Sequence, residues 1–374
     1  MDSIYMDNAA STKINDNVLS KFVDVATTLY GNPSSKHTEG LLASECIDAT
    51  KALISSKFGC DENDVLFTSG ATMSNNLLIQ GVLRKSPETM FITTSVEHND
   101  IMELYDWLPY SKHMIGVDKY GFIDYNDLYK QLVSCQKNNK PCLVSVQMAN
   151  SETGVIQSIK FISNMVHKYN GLLHMDATQY IPYYPIDMKA MGIDAISMSG
   201  QKIGGIKGSG LLIANEKIRN AMAPIIFGEQ GIIGGTPSTP LISSLGEAVS
   251  CINYDTESLR RKTITLLSYL EEMGGVIVGD KYCRIPNNIY IRFPGVDAIT
   301  LMNLLNEYNI YVGTGSACST DNHKPSHVSL AYGLTEDEAL QCIRFTLSDK
   351  NTYDEIEYVA NVVKGILFII RKEV

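Results

Sequence analysis

The feature that most constrains this chain is a series of short apolar runs, at residues 65–68, 90–94, 143–148, 172–175, 195–198 and 211–214. Each is only strand-length, most are followed by small or polar residues, and helix-length segments separate them. Such runs read as strands buried on both faces of a mainly parallel sheet, with helices between them. Residues 41–57 carry Leu42, Cys46, Ala49 and Leu53 at helical spacing, and Gly59 is positioned to end that helix. From about residue 255 the pattern shifts to longer helices, at 256–273, 298–309 and 353–370. The last of these places Ile356, Val359, Val363 and Ile366 on one face. The expected fold class is α/β. A large domain over 15–254 holds a mixed, mainly parallel sheet flanked by helices. A smaller α/β domain is formed by 1–14 and 255–374. With 374 residues, 44% of them hydrophobic, the chain is long enough to bury two cores.

Composition removes several classes of function. Charged residues make up 19%, too few for a charge-rich disordered chain. The formal net charge of −10 argues against a nucleic-acid footprint over the whole surface, so no direct nucleic-acid binding is expected. The opening residues, MDSIYMDNAAS, lack a basic segment followed by an apolar stretch, which predicts no signal peptide. The late apolar run at 366–370 is too short to span a bilayer, so a cytoplasmic protein is expected. The eight cysteines are scattered and none forms a CxxC pair. That pattern suits neither a disulfide framework nor a zinc site, and no metal is expected.

In an open α/β sheet, ligands bind beyond the carboxyl ends of the strands. The residues after five of the runs supply a hydroxyl (Ser69), an imidazole (His98), an amide (Asn150), a carboxylate (Asp176) and an amine (Lys202). Lys202 lies in SMSGQKIGGIKGSG, where flanking glycines permit close approach of a cofactor and a desolvated amine can attack a carbonyl. A surface lysine beside a Gly-rich turn fits that segment equally well. Asp176 suits a carboxylate set against a pyridine nitrogen, although taken alone it reads more readily as a helix cap. Gln179 is placed to donate to a cofactor oxygen. Residues 69–72, SGAT, open a helix whose free N–H groups make a phosphate site, to which Thr72 and Ser199 add hydroxyls. His98 suits stacking and proton transfer, against the commoner structural role of a lone histidine. The other six histidines, His37, His113, His167, His174, His323 and His327, take that structural reading.

Cys318 stands apart from the other cysteines. Residues 312–326, VGTGSACSTDNHKPS, are small and polar, a composition that predicts an exposed, flexible loop. A thiol there suits a nucleophile, with His323 and Lys324 favouring the thiolate. Arg344 sits among apolar neighbours and needs a partner, either an internal carboxylate or the carboxylate of an amino-acid substrate.

Together these residues resemble the cysteine desulfurases of the NifS/IscS type, fold type I pyridoxal 5'-phosphate (PLP) enzymes of the class V aminotransferase family. The likeness runs nearly end to end. It is carried by IYMDNAAST (4–12), GNPSS (31–35), GATMSNN (70–76), Glu97-His98, NSETG (150–154), DATQ (176–179), SGQK (199–202), GSAC (315–318), KPS (324–326) and IRF (343–345). The resemblance implies Lys202 as the Schiff-base lysine, Asp176 as the pyridinium partner and His98 as the stacking acid–base. It implies Ala71, Thr72, Ser199 and Gln201 as the phosphate cradle, with Asn150 and Gln179 beside the ring. Arg344, with Asn32 and Asn150, resembles the substrate carboxylate site. Thr236 is similar to a threonine that reaches the partner subunit's phosphate, which implies a homodimer.

The implied activity converts L-cysteine to L-alanine, with sulfur held as a persulfide on Cys318 for an acceptor such as an iron–sulfur scaffold or a thiolation enzyme. Selenocysteine lyase and cysteine sulfinate desulfinase-like activities share nearly all of these residues. A non-catalytic sulfur-transfer scaffold is expected to lose Lys202 or Cys318, and both are present. Three departures from the family pattern stand out: Gln201 replaces the usual histidine before the lysine, Met73 replaces a glutamate, and Gln230 and Ile233 replace two arginines. The last change removes positive charge near the expected mouth of the site, which suggests a specialised desulfurase.

Overall fold

Strand direction decides where the chemistry gathers. The structure, a computed structural model, describes residues 3–228, 231–315 and 324–372. Its large sheet has seven strands in the order Val65–Thr68, Gly210–Ala214, Ala195–Ser199, Leu172–Asp176, Cys142–Gln147, Met90–Thr94 and Lys112–Ile115. Gly210–Ala214 runs antiparallel to both its neighbours, and the remaining pairs are parallel. The sheet is therefore mixed and mainly parallel, as the apolar runs predict.

Alternate side chains along each strand enter different cores, as the pleat requires. Ile92, Val144, Val146, Leu211 and Ile213 pack in one cluster. Phe91, Leu143 and Leu212 pack in another. Burial on both sides explains why the runs are continuously apolar rather than alternating. The strand Lys112–Ile115 escapes the sequence reading because it pairs only with Met90–Thr94 and is mostly half-buried, so it tolerates Lys112 and His113.

The helix Thr38–Phe58 ends where Gly59 adopts φ 62°. It starts earlier than the apolar stripe suggests because His37 Nδ1 accepts from Gly40 N at 3.3 Å, capping the first turn. A second core forms around a four-stranded sheet ordered Gly313–Thr314, Cys342–Thr346, Asn288–Arg292 and Val276–Ile277. The helices Glu257–Glu272, Ala298–Glu307 and Tyr353–Ile370 contribute to it. Ile356, Val359, Val363 and Ile366 are all buried there, each burial stabilising by about 1.5–3 kcal/mol.

The N-terminal segment joins this core to the large sheet. Ile4–Tyr5 pairs in parallel with Ile310–Tyr311. Asn8 Nδ2 then donates to Thr346 O at 2.8 Å, and Thr12 N and Oγ1 both donate to Gln201 O, at 2.9 and 2.8 Å. Among the described residues no helix is long and apolar enough to cross a membrane.

Candidate active site

The carboxyl ends of the central strands open onto a cavity of about 310 Å³. Ala71, Thr72, His98, Asp176, Gln179, Ser199, Gln201, Lys202 and Arg344 all line it. Parallel strands carry these distant positions to one edge, as the sequence reading requires.

Asp176 closes the strand Leu172–Asp176 and is buried. Its Oδ1 accepts from Thr178 N at 2.9 Å and its Oδ2 from Asn75 Nδ2 at 3.0 Å. Burial raises its pKa, and the neighbouring Asp100 carboxylate adds to the rise. The same Asn75 Nδ2 donates to Asp100 Oδ2 at 3.1 Å. Asp100 Oδ1 lies 2.9 Å from His98 Nδ1. The Asp100 N–H also approaches Nδ1, at 3.4 Å, but the shorter contact to a carboxylate dominates, so Nδ1 carries the proton. That hydrogen bond raises the His98 pKa, against an opposing effect of burial.

Glu97 also lines the cavity, almost wholly buried, and burial pushes its carboxyl up to about 8. It therefore holds a proton at neutral pH. Its Oε1 accepts from Thr94 Oγ1 at 2.6 Å, while Oε2 has no hydrogen-bond partner among the described residues. His174, equally buried, is held neutral between Ser145 and Ser197, its pKa driven down to about 3 by burial.

Lys202 ends the short 3₁₀ turn Gly200–Lys202, and its Nζ donates to Ala9 O and Ala10 O at 2.6 and 2.5 Å. Gln179 Nε2 donates to the same Ala9 carbonyl at 3.0 Å. The N-terminal segment thus forms one wall of the lysine's surroundings. At the opposite wall the helix Ala71–Lys85 begins at Gly70 with no side-chain cap, and Ala71 N donates to Ser199 Oγ at 2.8 Å. Gly210 permits this close fit, because a Cβ there would come within 2.4 Å of Gly70 Cα.

Arg344 is buried in the strand Cys342–Thr346. Its Nη2 donates to Asp7 Oδ1 at 2.7 Å and its Nη1 to Ser151 O at 3.0 Å. The internal ion pair left open by the sequence is therefore present. Arg344 Nε is buried without a partner among the described residues. Glu152 also lines the cavity and accepts from Ser326 Oγ at 2.6 Å. His327, given a structural reading from sequence, lines the cavity as well and donates from Nε2 to Glu97 O at 2.8 Å.

Three of the residues that the family resemblance assigns to cofactor or substrate do not line this cavity, nor does the strand-end Ser69. Asn150 is buried, with Nδ2 donating to Val96 O at 3.0 Å and Oδ1 accepting from Glu152 N and Thr153 N at 2.9 and 2.8 Å. Its amide organises the loop that presents Ser151 and Glu152. Asn32 is exposed, its Oδ1 accepting from Ser34 N. Thr236 borders a separate cavity of about 520 Å³ together with Pro33 and Ser34. Cys318, His323 and Gln230 lie outside the described residues. The sequence reading missed Asn75, Asp100 and Glu152, and gave Glu97 no role. An acidic residue two positions after His98 is the signal that was there to find.

An α/β chain that gathers an amine, a buried carboxylate, an imidazole and an uncapped helix start at its strand ends has the parts of a fold type I PLP enzyme. Residues 4–359 match the family described as Aminotransferase class-V, and the chain belongs to that family. A curated cysteine desulfurase from Sinorhizobium fredii is 33% identical over 388 residues, covering 100% of this chain and 98% of the relative. A solved NifS-like protein superposes with a TM-score of 0.88 at 27% identity, covering 98% of this chain and all of the other. A structure described as SspA in complex with cysteine gives a TM-score of 0.81 at 29% identity, covering 92% and 99%.

The family is PLP-dependent, and the residues present fit that cofactor. The buried Asp176 carboxyl faces the cavity, Lys202 Nζ lies on its wall and the first turn of the helix Ala71–Lys85 opens toward it. Thr178 Oγ1, also at the cavity, is buried without a partner among the described residues.

Proposed function

We propose that this chain is a cysteine desulfurase that converts L-cysteine to L-alanine and carries the sulfur as a persulfide on Cys318. The observation that supports this reading most is the arrangement of Lys202, Asp176, His98 and Arg344 around one cavity, in a chain whose full-length relatives bear that name. Bound PLP supplies an electron sink for the substrate's Cα.

The protein's own groups do the rest. Arg344 binds the substrate carboxylate through its fork, with Asp7 fixing the guanidinium on one side. Lys202 Nζ takes the Cα proton. Asp176 favours a protonated ring nitrogen, because a buried carboxylate is stabilised by an adjacent cation. The Cys318 thiolate attacks the substrate sulfur. The S–S bond forms as the Cβ–S bond breaks, and the carbon left behind takes a proton to complete alanine. A thiol reductant, or an acceptor protein, removes the terminal sulfur and restores the Cys318 thiol.

The same reading divides the chain into a cofactor-binding domain over 15–254 and a second domain of 1–14 and 255–374. Purified enzyme given L-cysteine and a thiol reductant is expected to release alanine and sulfide continuously, and without reductant to stop near one alanine per site. Sulfur from radiolabelled cysteine should pass to a protein of the cytoplasmic fraction. Absence of alanine release would leave a non-catalytic scaffold as the better reading. Faster turnover of selenocysteine or cysteine sulfinate would reassign the substrate.

Thr236 and Asn32 support a homodimer, because neither lines the Lys202 cavity of its own chain. The resemblance to the family gives Thr236 a role across the subunit boundary. Light scattering is expected to find a dimer, and Thr236→Ala should weaken cofactor retention without dissociating it. A monomer with full cofactor occupancy contradicts this arrangement.

A further inference from the structure

We propose that Asp100 is the positioning residue for His98: its carboxylate holds the Nδ1 proton and, through Asn75, ties the imidazole to Asp176, leaving Nε2 as the nitrogen that serves the cavity. The proposal rests on the desulfurase reading for the use made of that proton. Its geometry stands independently. The carboxylate meets Nδ1 at 2.9 Å, and the Asp100 side chain is only 5% exposed while that of His98 is 49% exposed. A near-buried carboxylate thus anchors the inner edge of a ring whose outer edge is open. Asn75 is fully buried, and its single Nδ2 bridges the two aspartates at 3.1 and 3.0 Å. The imidazole of His98 and the carboxylate of Asp176 are therefore the two ends of one hydrogen-bonded chain.

The fixed bond to Asp100 sets the tautomer: with Nδ1–H donating, neutral His98 presents a lone pair at Nε2. When Nε2 takes a proton from solvent or substrate, the imidazolium is neutralised by the carboxylate already in place. Other charged groups act on the same ring. Asp176 favours the imidazolium and Lys202 opposes it. Glu97, next in sequence and buried, carries its own proton at neutral pH and adds little charge. His327 packs against the Glu97 carbonyl. Asp100 is both the nearest of these and the one hydrogen-bonded to the ring, so it dominates. Gln201 precedes Lys202 where the family usually has histidine, which leaves His98 as the imidazole carried by this set of strand ends.

Asp100→Asn separates charge from shape, since asparagine keeps the acceptor oxygen and the volume. With protein labelled at histidine Cε1, and the His98 signal assigned by its loss in His98→Gln, the His98 titration midpoint is expected to fall in Asp100→Asn. Asp100→Glu should restore it in part. The measurement is made on ligand-free and PLP-loaded protein, so altered cofactor retention does not obscure it. In the loaded enzyme, kcat for alanine release should fall by roughly tenfold to hundredfold, with KM for L-cysteine little changed and the alkaline side of the pH profile moved to lower pH. A purely structural Asp100 would leave the titration and the pH profile where they are, because asparagine fills the same space. Identical His98 midpoints in the wild type and Asp100→Asn overturn the proposal. Failure of the wild type to release alanine would instead overturn the desulfurase reading and leave the titration result standing.

Discussion

Lys202→Ala is expected to reduce alanine formation from L-cysteine by about 10³-fold or more, within the range attributed to a positioned proton-transfer group. The lysine reaches the cavity from a turn held in three places. Gly205 N donates to Gly200 O, Thr12 N and Oγ1 donate to Gln201 O, and Ala9 and Ala10 carbonyls receive Nζ. Alanine removes the amine but leaves every backbone contact of that turn. The variant should therefore fold, its melting temperature lowered only by the loss of the Nζ bonds to the Ala9 and Ala10 carbonyls, and retain PLP only non-covalently. Borohydride treatment of the wild type should fix the cofactor to the Lys202 peptide, and the same treatment of Lys202→Ala should fix none. Covalently attached cofactor in the variant would move the linkage to another lysine and break the assignment.

Cys318→Ser should abolish persulfide formation and lower alanine release by a factor of about 10³ or more, as loss of a nucleophile does elsewhere. PLP occupancy should not change, because Asp176, Ser199 and Lys202 are untouched. Mass spectrometry after exposure to L-cysteine should find one added sulfur on the wild-type Cys318 peptide and none in the variant. Six of the other seven thiols are poorly suited to the role. Burial raises the pKa of Cys60, Cys135, Cys142, Cys251, Cys283 and Cys342, reaching about 12 for Cys60, Cys142 and Cys342. At neutral pH these remain protonated and weakly nucleophilic. Cys283, exposed and likewise raised, is the informative control: Cys283→Ser should keep full activity. Wild-type alanine release from Cys318→Ser would point to a lyase that needs no protein nucleophile.

How much of this was legible beforehand depends on the kind of contact involved. The amino-acid order alone determined the alternation of buried strands and helices, because a strand covered on both faces must be apolar along its length. The same order placed His98, Asp176, Ser199 and Lys202 at or just beyond strand ends, and parallel strands bring such ends together whatever the loops do. The edge strand Lys112–Ile115 was hidden because an edge imposes no such apolar demand.

The tertiary structure decided what each polar group faces. Arg344 among apolar residues allowed either an internal partner or a substrate, and only folding set Asp7 against it, from 337 positions away. Asn150 reads as a strand-end amide in sequence, yet its hydrogen bonds are spent on its own loop and on the distant Val96 carbonyl. The chain from His98 through Asp100 and Asn75 to Asp176 joins three separate segments and has no periodic signature. Hydrogen bonds between distant side chains depend on directions that packing alone sets, which is why the strand ends could be read from the sequence and the wiring between them could not.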